Sequence, residues 1–314
     1  MKEKPDWVVV VGDVNATLAA SVTAKKLLIK VCHIEAGLRS GDMTMPEEIN
    51  RLVTDRLADL LLTPDTMSNE NLRKEGVPEE KIKFVGNIMI DTLEANREKA
   101  SQLSIDQIIK DNQIDWQAHS PLISHNSSLT PSSPRSIAPS PIRSIAQFAL
   151  MTLHRPSNVD EKIVFEPLIN FLLDEATKDM PIIWPIHPRT QKQLQHFGLW
   201  NKVIQNKNMI MLHPIGYHEM LRLNMDAKLM LTDSGGLQEE CTILGTPCLT
   251  LRWNTERPIT LREYGGASVL VGNNVETIRK EYQNTLKLYR KPKRPELWDG
   301  KTAERCLESI LKFK

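Results

Sequence analysis

Short apolar segments that end in glycine or polar residues recur along this chain and alternate with helical segments. The first, Trp7–Val11, is an unbroken apolar run rich in β-branched residues that ends at Gly12-Asp13. Helical spacing follows over residues 17–28, and residues 31–34 form the next short run. This order is typical of βαβ units, which build parallel sheets covered by helices. It predicts an α/β fold whose ligands bind beyond the carboxyl ends of the strands, with Trp7–Val11 as a buried strand.

The same alternation continues to residue 251. Apolar side chains at helical spacing predict a helix over residues 46–62, and residues 66–75 predict another before a short strand at 83–87. In the second half, a helix is predicted over residues 161–177. Strands are predicted at residues 148–153, 181–186, 209–212, 227–231 and 248–251.

A change of composition divides the chain. Residues 119–141 contain eight Ser and five Pro, too little apolar surface to offset the entropy of ordering them. The chain has 314 residues, which is enough for about two domains. We predict an N-terminal domain at residues 1–112, a Ser/Pro-rich linker at 113–147 and a C-terminal domain at 148–295. A C-terminal helix at 296–314 is predicted to pack back on the first domain.

Charge and cysteine content exclude several classes of function. The chain has 40 Lys and Arg against 39 Asp and Glu, so nothing in its net charge favours nucleic acid or an anionic membrane. No apolar run reaches the roughly 20 residues that a membrane helix needs. The 4 cysteines form no C-x-x-C pair and no metal-binding cluster. We therefore expect no metal, no nucleic-acid or membrane partner, and a cytoplasmic location.

A turn at residues 232–236 has the features of a phosphate-binding site. An apolar strand runs into Ser234-Gly235-Gly236 and then into a predicted helix. Glycines let a backbone approach a ligand closely, and free N–H groups at a helix start suit phosphate oxygens. Glu240, in the first two turns of that helix, is placed to accept hydrogen bonds from a ribose. The alternative is an ordinary helix start capped by Asp233 or Ser234.

Three carboxylates are candidates for acid/base work. Asp13 follows the first strand, and the alternative is that it caps the next helix. Glu35 ends an apolar strand, and the alternative is a salt bridge with Arg39. Glu47 precedes a helix, and Thr44-x-x-Glu47 also fits a capping box, with Pro46 in the first helical turn.

Two strand ends carry a histidine followed closely by an arginine. His154-Arg155 and His187-Pro188-Arg189 pair an imidazole with a guanidinium, a combination that binds phosphate or carboxylate. Either histidine could instead be structural. Beside the Ser-Gly-Gly turn, the two pairs favour a diphosphate site. Arg257 lies in a polar loop that is either a binding loop or a turn.

Taken together, long ordered segments of this chain resemble the non-hydrolysing UDP-N-acetylglucosamine 2-epimerase family. The resemblance covers residues 7–94 and 148–272. The segments that carry it are VVVVGDVNATLA, HIEAGLRSGDMTMPEEINRLVTD, FVGNIMIDTL, LMTLHRPSNVD, PIIWPIHPRT, LTDSGGLQEECTILGTPCLTLRWNTERP and LVG.

The resemblance implies a fold and an activity. Two Rossmann-like domains, a partial one at residues 1–112 and a UDP-binding one at 148–295, would face each other across a cleft, the GT-B arrangement, in a cytoplasmic homodimer that needs no cofactor. The reaction would interconvert UDP-N-acetylglucosamine and UDP-N-acetylmannosamine by elimination and re-addition of UDP, with inversion at C2. Its product would enter cell-surface polysaccharide synthesis. The alternatives are a hydrolysing relative that releases UDP and N-acetylmannosamine, an inactive UDP-sugar-binding remnant, and a GT-B glycosyltransferase.

The resemblance also implies residue roles. The catalytic positions map to Asp13, Glu35, Glu47 and His154. The nucleotide and substrate contacts map to Ile215, Met220, Ser234, Gly235, Gly236, Glu240 and Arg257. Relatives often carry an aromatic residue at the Met220 position, which weakens the expected stacking on uracil. His187 and Arg155 are implied at the diphosphate or at a second, activating UDP-N-acetylglucosamine.

One family feature has no counterpart here. Family members begin with a strand and a Gly-Thr-Arg-Pro-Glu segment whose Arg and Lys reach the substrate, and nothing before Trp7 matches it. We therefore expect a shortened N-terminal sheet, UDP binding by the C-terminal half, and impaired catalysis.

Overall fold

Two parallel sheets organise the chain. The computed structural model describes residues 4–114 and 147–313. The first sheet has the order β1-β2-β3-β4, with β1 Trp7–Val11, β2 Lys30–Ile34, β3 Leu60–Thr63 and β4 Ile82–Phe84. The second has the order β10-β9-β8-β5-β6-β7, with β5 Ala149–Thr152, β6 Ile182–Pro185, β7 Met209–Leu212, β8 Leu229–Thr232, β9 Cys248–Thr250 and β10 Ser268–Leu270. All neighbouring strands are parallel, so the predicted α/β class with two Rossmann-like sheets is confirmed.

Helices alternate with the strands. Those before the second sheet are α1 Asn15–Lys26, α2 Pro46–Leu57, α3 Thr66–Lys74, α4 Ile88–Ser101 and α5 Ile105–Asn112. Those after its first strand are α6 Pro156–Val159, α7 Lys162–Phe171, α8 Thr177–Asp179, α9 Pro188–His196, α10 Trp200–Ile204, α11 Tyr217–Asp226, α12 Gly235–Leu244, α13 Val275–Leu286 and α14 Thr302–Lys312. A π-helical turn at Leu172–Ala176 joins α7 to α8, and short 3₁₀ turns lie at Glu79–Lys81, Pro258–Thr260 and Arg262–Tyr264.

The prediction of one helix over residues 46–62 is wrong at its end. Helix α2 stops at Leu57, because Ala58 has extended backbone angles and the side chain of Asp59 accepts a hydrogen bond from the Val31 N–H. The three leucines that follow form the fully buried strand β3. A short apolar run fits a buried strand and a buried helix equally well, so periodicity alone does not separate them.

Strand β1 is only partly buried. It pairs with β2 along one side, and Val9 and Val11 are 45% and 48% exposed. The apolar run therefore predicts a strand correctly, but its burial is confined to Val10 and, in part, Trp7 and Val8.

Helix α5 packs against the second sheet, and helix α14 packs against the first. Helix α5 packs Ile108 and Ile109 into a core cluster with Phe148 and Leu150 of the second sheet. This helix therefore lies with the second sheet, although the sequence boundary at residue 112 assigns it to the first domain. On α14, Cys306 is buried in a cluster with Cys32, Leu60 and Leu62 of the first sheet and with Val85, which follows β4. The Ser/Pro-rich stretch at 119–141 lies outside the described residues.

Within residues 4–114 and 147–313, we find no helix with both the length and the apolar character needed to cross a bilayer.

Candidate active site

The carboxyl ends of the two sheets meet around one arginine. The Nη2 atom of Arg257, in the loop after β9, lies 3.8 Å from Oε2 of Glu35, which follows β2. A second contact runs from Asn87 at the start of α4, whose Nδ2 donates to Oε1 of Glu239 on α12 at 2.7 Å. In a third, Asn254 Nδ2 donates to Asp42 Oδ2 at 3.3 Å. These contacts bring together polar loops that are far apart in sequence.

Glu35 occupies a strained and enclosed position. Its φ is +69°, a left-handed value that is uncommon for a residue with a Cβ, and its side chain is 12% exposed. Burial raises the pKa of Glu35 and Asp13 adds to this, while Arg257 opposes it. The alternative of a salt bridge with Arg39 is wrong, because Arg39 pairs with Asp55 and Glu75 at 2.7 Å.

Asp13 is held by an arginine rather than serving as a helix cap. Helix α1 has Val14 at its N-cap, and no side chain caps it. Arg51 donates to Oδ2 of Asp13 from Nε at 2.9 Å and from Nη2 at 2.7 Å. The Nδ2 of Asn50 donates to the Asp13 carbonyl at 2.8 Å. The side chain of Asp13 is still 26% exposed, so one end of this carboxylate faces solvent beside Glu35.

Helix α2 buries a polar face and exposes apolar side chains, the opposite of a usual amphipathic helix. The residues it buries are polar, namely Glu48, Asn50, Arg51, Thr54 and Asp55. Its apolar Ile49 and Val53 are 44% and 38% exposed. Glu48, Arg51 and Asp55 recur at spacings of three and four, so they share one helix face. That face points inward and holds the loops that carry Asp13 and Glu35.

The capping box predicted at Thr44 is wrong. The N-cap of α2 is Met45, no side chain caps the helix, and the Thr44 hydroxyl bonds to Asp42 instead. Pro46 does occupy the first turn, as predicted. The glutamate that bonds to the loop before the helix is Glu48, which accepts from the N–H groups of Ser40 and Gly41 at 3.0 and 2.8 Å. Glu47 itself is half-buried. It lies close enough to Arg155 to raise the pKa of that guanidinium, although burial lowers this pKa overall.

A buried histidine joins the loops behind these carboxylates. Nδ1 of His33 lies 2.5 Å from Oδ1 of Asp55, and Nε2 lies 2.9 Å from the carbonyl oxygen of Gly12. Both partners are acceptors, so the ring donates from both nitrogens and is an imidazolium. Burial alone would lower the pKa of His33, but Asp55 outweighs it and the net pKa is raised above 6.5. The pKa of Asp55 is lowered, since His33 and Arg39 overcome the effect of its burial.

This ion pair predicts a pH dependence of stability. A raised folded pKa means that the contribution of His33 is complete below pH 6.5 and is lost as pH rises through the folded pKa. We expect His33→Gln to lower the free energy of unfolding by about 3 kcal/mol at pH 6, the scale for breaking a buried pair. The deficit in melting temperature should shrink as the pH rises above 6.5 and through the folded pKa of His33. Arg73→Gln, which breaks the exposed pair with Glu79, is the control, and a His33→Gln deficit independent of pH contradicts the assignment.

His154 is oriented by a buried aspartate. Its Nδ1 lies 2.8 Å from Oδ1 of Asp233, and Asp233 also accepts from the backbone N–H groups of His154 and Arg155. The pKa of Asp233 is lowered, because these hydrogen bonds outweigh its burial. His154 is 40% exposed, so its Nε2 is presented to the cleft. The His187 ring lies 5.5 Å away, and its Nδ1 accepts from the N–H of Arg189.

The Ser-Gly-Gly turn opens α12 as predicted. Ser234 is the N-cap, and among the described residues its side chain makes no capping hydrogen bond. A Cβ at Gly235 would lie 2.6 Å from Nη1 of Arg257, so only glycine lets that guanidinium approach the turn. Nothing lies within 4 Å of the corresponding position at Gly236, where the helix start is open. The arrangement suits an anion held by N–H groups and Arg257 together.

Glu240 lies one turn further along α12. It is 6% exposed, and within the described residues its Oε2 has no hydrogen-bond partner. Burial raises its pKa to about 7, while Asn224 and Tyr217 act in the opposite direction. A buried acceptor of this kind suits a ligand hydroxyl. Ile215 and Met220 pack partly buried at the start of α11, on the core cluster that contains Cys241 of α12.

Sequence reasoning missed several residues that build this site. They are Arg51, Asp55, Asp233, Glu239, Arg252 and Glu256. Arg252 pairs with Glu256 at 2.6 Å, and Glu256 also pairs with Arg257, so the pKa of Glu256 is lowered by both arginines despite its burial. For α2, the three-and-four spacing of charged residues was an available signal. For the other residues, only the fold brings the partners together.

The chain matches one protein family over most of its length. A profile of the family described as UDP-N-acetylglucosamine 2-epimerase matches residues 1–311. The UDP-N-acetylglucosamine 2-epimerase of Methanocaldococcus jannaschii is 40% identical over 311 residues, covering 99% of this chain and 76% of that protein. The Escherichia coli K12 protein of the same name is 33% identical, covering 98% of this chain and 76% of that protein.

Solved structures give the same result. The crystal structure of the M. jannaschii UDP-GlcNAc 2-epimerase in complex with UDP-GlcNAc and UDP matches 100% of this chain and 77% of its own, with a TM-score of 0.82 at 39% identity. The Neisseria meningitidis UDP-GlcNAc 2-epimerase bound to UDP-GlcNAc matches 98% of this chain and 76% of its own, with a TM-score of 0.76 at 30% identity. This chain belongs to the UDP-N-acetylglucosamine 2-epimerase family.

Proposed function

We propose that this chain interconverts UDP-N-acetylglucosamine and UDP-N-acetylmannosamine by eliminating and re-adding UDP. The observation that carries the proposal is the placement of two carboxylates, the enclosed Glu35 and the partly exposed Asp13, on the side of the cleft that faces Arg257 and the Ser234 turn. Carboxylates can move a proton at C2 of the sugar while the cationic side holds the departing diphosphate. Family membership and the complexes solved for relatives support the same reaction.

The reaction has two balanced halves. In the first, a carboxylate takes the C2 proton, the electron pair of that bond forms the C1–C2 double bond, and the C1–O bond breaks to release UDP. The product is a 2-acetamidoglucal. In the second, a UDP oxygen adds to C1 and a second group returns a proton to the opposite face of C2. Asp13, Glu35 and Glu47 are the proposed acid/base groups.

The remaining site residues would hold the nucleotide. We assign the diphosphate to Arg257, His154 and the turn at Ser234, Gly235 and Gly236, whose N–H groups and charges face one region. The buried Oε2 of Glu240 would accept a ribose hydroxyl. The segment from Ile215 to Met220 would contact uracil. His187 and Arg155 would lie beside the diphosphate or a second nucleotide sugar.

Assembly, domain boundaries and location complete the proposal. We propose the division at residues 112, 147 and 295 as domain boundaries in sequence, with helix α5 of the N-terminal segment packing on the second sheet. A homodimer would draw on apolar side chains that face outward at Val14, Ile49 and Val53. A cytoplasmic location fits four buried free cysteines.

Product analysis tests the proposal. We expect the chain to convert UDP-N-acetylglucosamine into the manno epimer, seen by proton NMR, while the phosphorus spectrum shows no growing UDP signal. Release of UDP and N-acetylmannosamine in step with turnover would identify a hydrolysing relative instead. UDP binding without either product would identify a nucleotide-sugar-binding protein.

A further inference from the structure

Arg257 is shared unequally among three carboxylates. Its Nε lies 2.8 Å from Glu239, its Nη1 pairs closely with Glu256, and its Nη2 faces Glu35 at 3.8 Å. The first two are hydrogen-bonded ion pairs, whereas 3.8 Å is too long for a hydrogen bond. Glu35 therefore lies beside the guanidinium without being bound to it.

Glu239 is fixed from two directions. It is 2% exposed, and its Oε1 accepts from Asn87 Nδ2 as well as from Arg257. Asn87 is in turn anchored, because its own side-chain oxygen caps α4 by accepting from the N–H of Met89. Among the described residues, the other oxygen of Glu239 has no hydrogen-bond partner. Glu239 thus ties Arg257 to a helix that follows the first sheet.

The cluster carries more carboxylates than cations. Glu35, Glu239 and Glu256 face Arg257 and Arg252, and Arg252 is taken by Glu256. A buried excess of negative charge favours proton binding. Burial raises the pKa of Glu239 to about 7, with Glu35 adding to the effect and Arg257 and Asn87 opposing it.

We propose that Glu239 is a positioning residue for Glu35, acting through Arg257. By holding Nε of the guanidinium, Glu239 keeps Arg257 from closing onto Glu35 as a hydrogen-bonded ion pair. Glu35 then remains able to take up and release a proton, and Nη2 of Arg257 remains available to an anion. This inference rests on the proposed function, in which Glu35 moves a proton and Arg257 faces the diphosphate.

The proposal predicts the direction in which the pKa of Glu35 moves. The Glu239→Gln variant lacks the buried negative charge of Glu239. Arg257 therefore turns toward Glu35, and less of the Arg257 charge is compensated by other carboxylates. Both changes favour the ionised form of Glu35 and lower its pKa. The other charged groups facing Glu35 are Asp13, His33 and Glu256. Asp65 faces Arg257, and Arg51 faces Glu256. The Glu239→Gln substitution leaves all of these groups in place.

The test is a carbon NMR titration of the full chain labelled at the glutamate carboxyl carbon. The Glu35 signal is the one lost in Glu35→Gln. We expect its midpoint to fall by about one pH unit or more in Glu239→Gln, the scale for a neighbouring charge. Glu240→Gln is the matched control on the same helix, because Glu240 faces Tyr217 and Asn224, and it should leave the midpoint in place. An unmoved or raised midpoint in Glu239→Gln overturns the proposal.

Kinetics provide the second readout. We expect Glu239→Gln to lower kcat at neutral pH by about tenfold, the factor that corresponds to a pKa shift of one unit, and to move the pH profile toward acid. UDP affinity should change much less, whereas in Glu240→Gln it should fall. Loss of UDP affinity in Glu239→Gln without any shift of the profile would indicate a nucleotide contact and overturn the proposal. The titration needs no turnover, so a chain that fails to epimerise refutes the proposed function without deciding this inference.

Discussion

Replacing Glu35 with glutamine is expected to lower kcat for epimerisation by about a thousandfold, within the range found for positioned acid/base groups. The amide keeps the shape of the side chain but cannot take or return a proton. Glu35 lies on the carboxylate side of the cleft, 3.8 Å from Arg257, so UDP should bind with nearly unchanged affinity. Steady-state kinetics by NMR and a calorimetric UDP titration measure the two effects.

Glu75→Gln is the matched control for that variant. Glu75 is an exposed glutamate that pairs with Arg39, and its loss should change kcat by less than about twofold, as expected for a surface ion pair. If Glu35→Gln keeps kcat within tenfold of the unaltered chain, Glu35 does not move the C2 proton. The chemistry would then have to be reassigned to Asp13 and Glu47.

Asp233→Asn is expected to lower kcat by about a hundredfold, the low end for losing a group that stabilises developing charge, because it removes the carboxylate that holds His154 toward the diphosphate. Asp233 accepts from the Nδ1 side of His154 and from two backbone N–H groups. Asparagine can satisfy the backbone groups with its oxygen, but it carries no negative charge to pair with the imidazole ring. His154 would lose the partner that fixes its ring beside the diphosphate while the fold is kept.

The control for this variant is Asp160→Asn. Asp160 follows His154 closely in sequence and pairs with Arg189 at the surface, so its change should leave kcat within about twofold. Circular dichroism and the melting temperature establish that both variants fold. Normal turnover in a folded Asp233→Asn variant contradicts a role for His154 at the diphosphate.

Much of the fold could be predicted from local pattern. Apolar runs ending in glycine or polar residues marked eight of the ten strands in the described residues, because a buried parallel strand is typically a nearly continuous apolar run. The two missed strands are β3, a run of three leucines shortly after helix α2, and β10, which is three residues long and begins with Ser268. The positions of Asp13, Glu35, His154 and the Ser234 turn at strand ends were also predictable, since ligands bind there in α/β sheets.

The partners of those residues were not predictable, for physical reasons. Asp13 was a reasonable helix cap, and nothing local shows that Arg51 reaches it from 38 residues away. Helix α2 turns a polar face inward, against the rule that buried faces are apolar. Such a reversal is favourable only where buried charges find partners, and those partners come from other loops. The tie between Asn87 and Glu239 spans 152 residues.

Proton exchange at C2 of the sugar tests the proposed reaction most directly. The chain is incubated with UDP-N-acetylglucosamine in deuterium oxide and followed by proton NMR. Proton transfer through exchangeable carboxylates predicts that the manno epimer appears with deuterium at C2. A manno epimer that keeps its original C2 proton, or ordinary UDP binding with no exchange at C2, would contradict elimination and re-addition by this site.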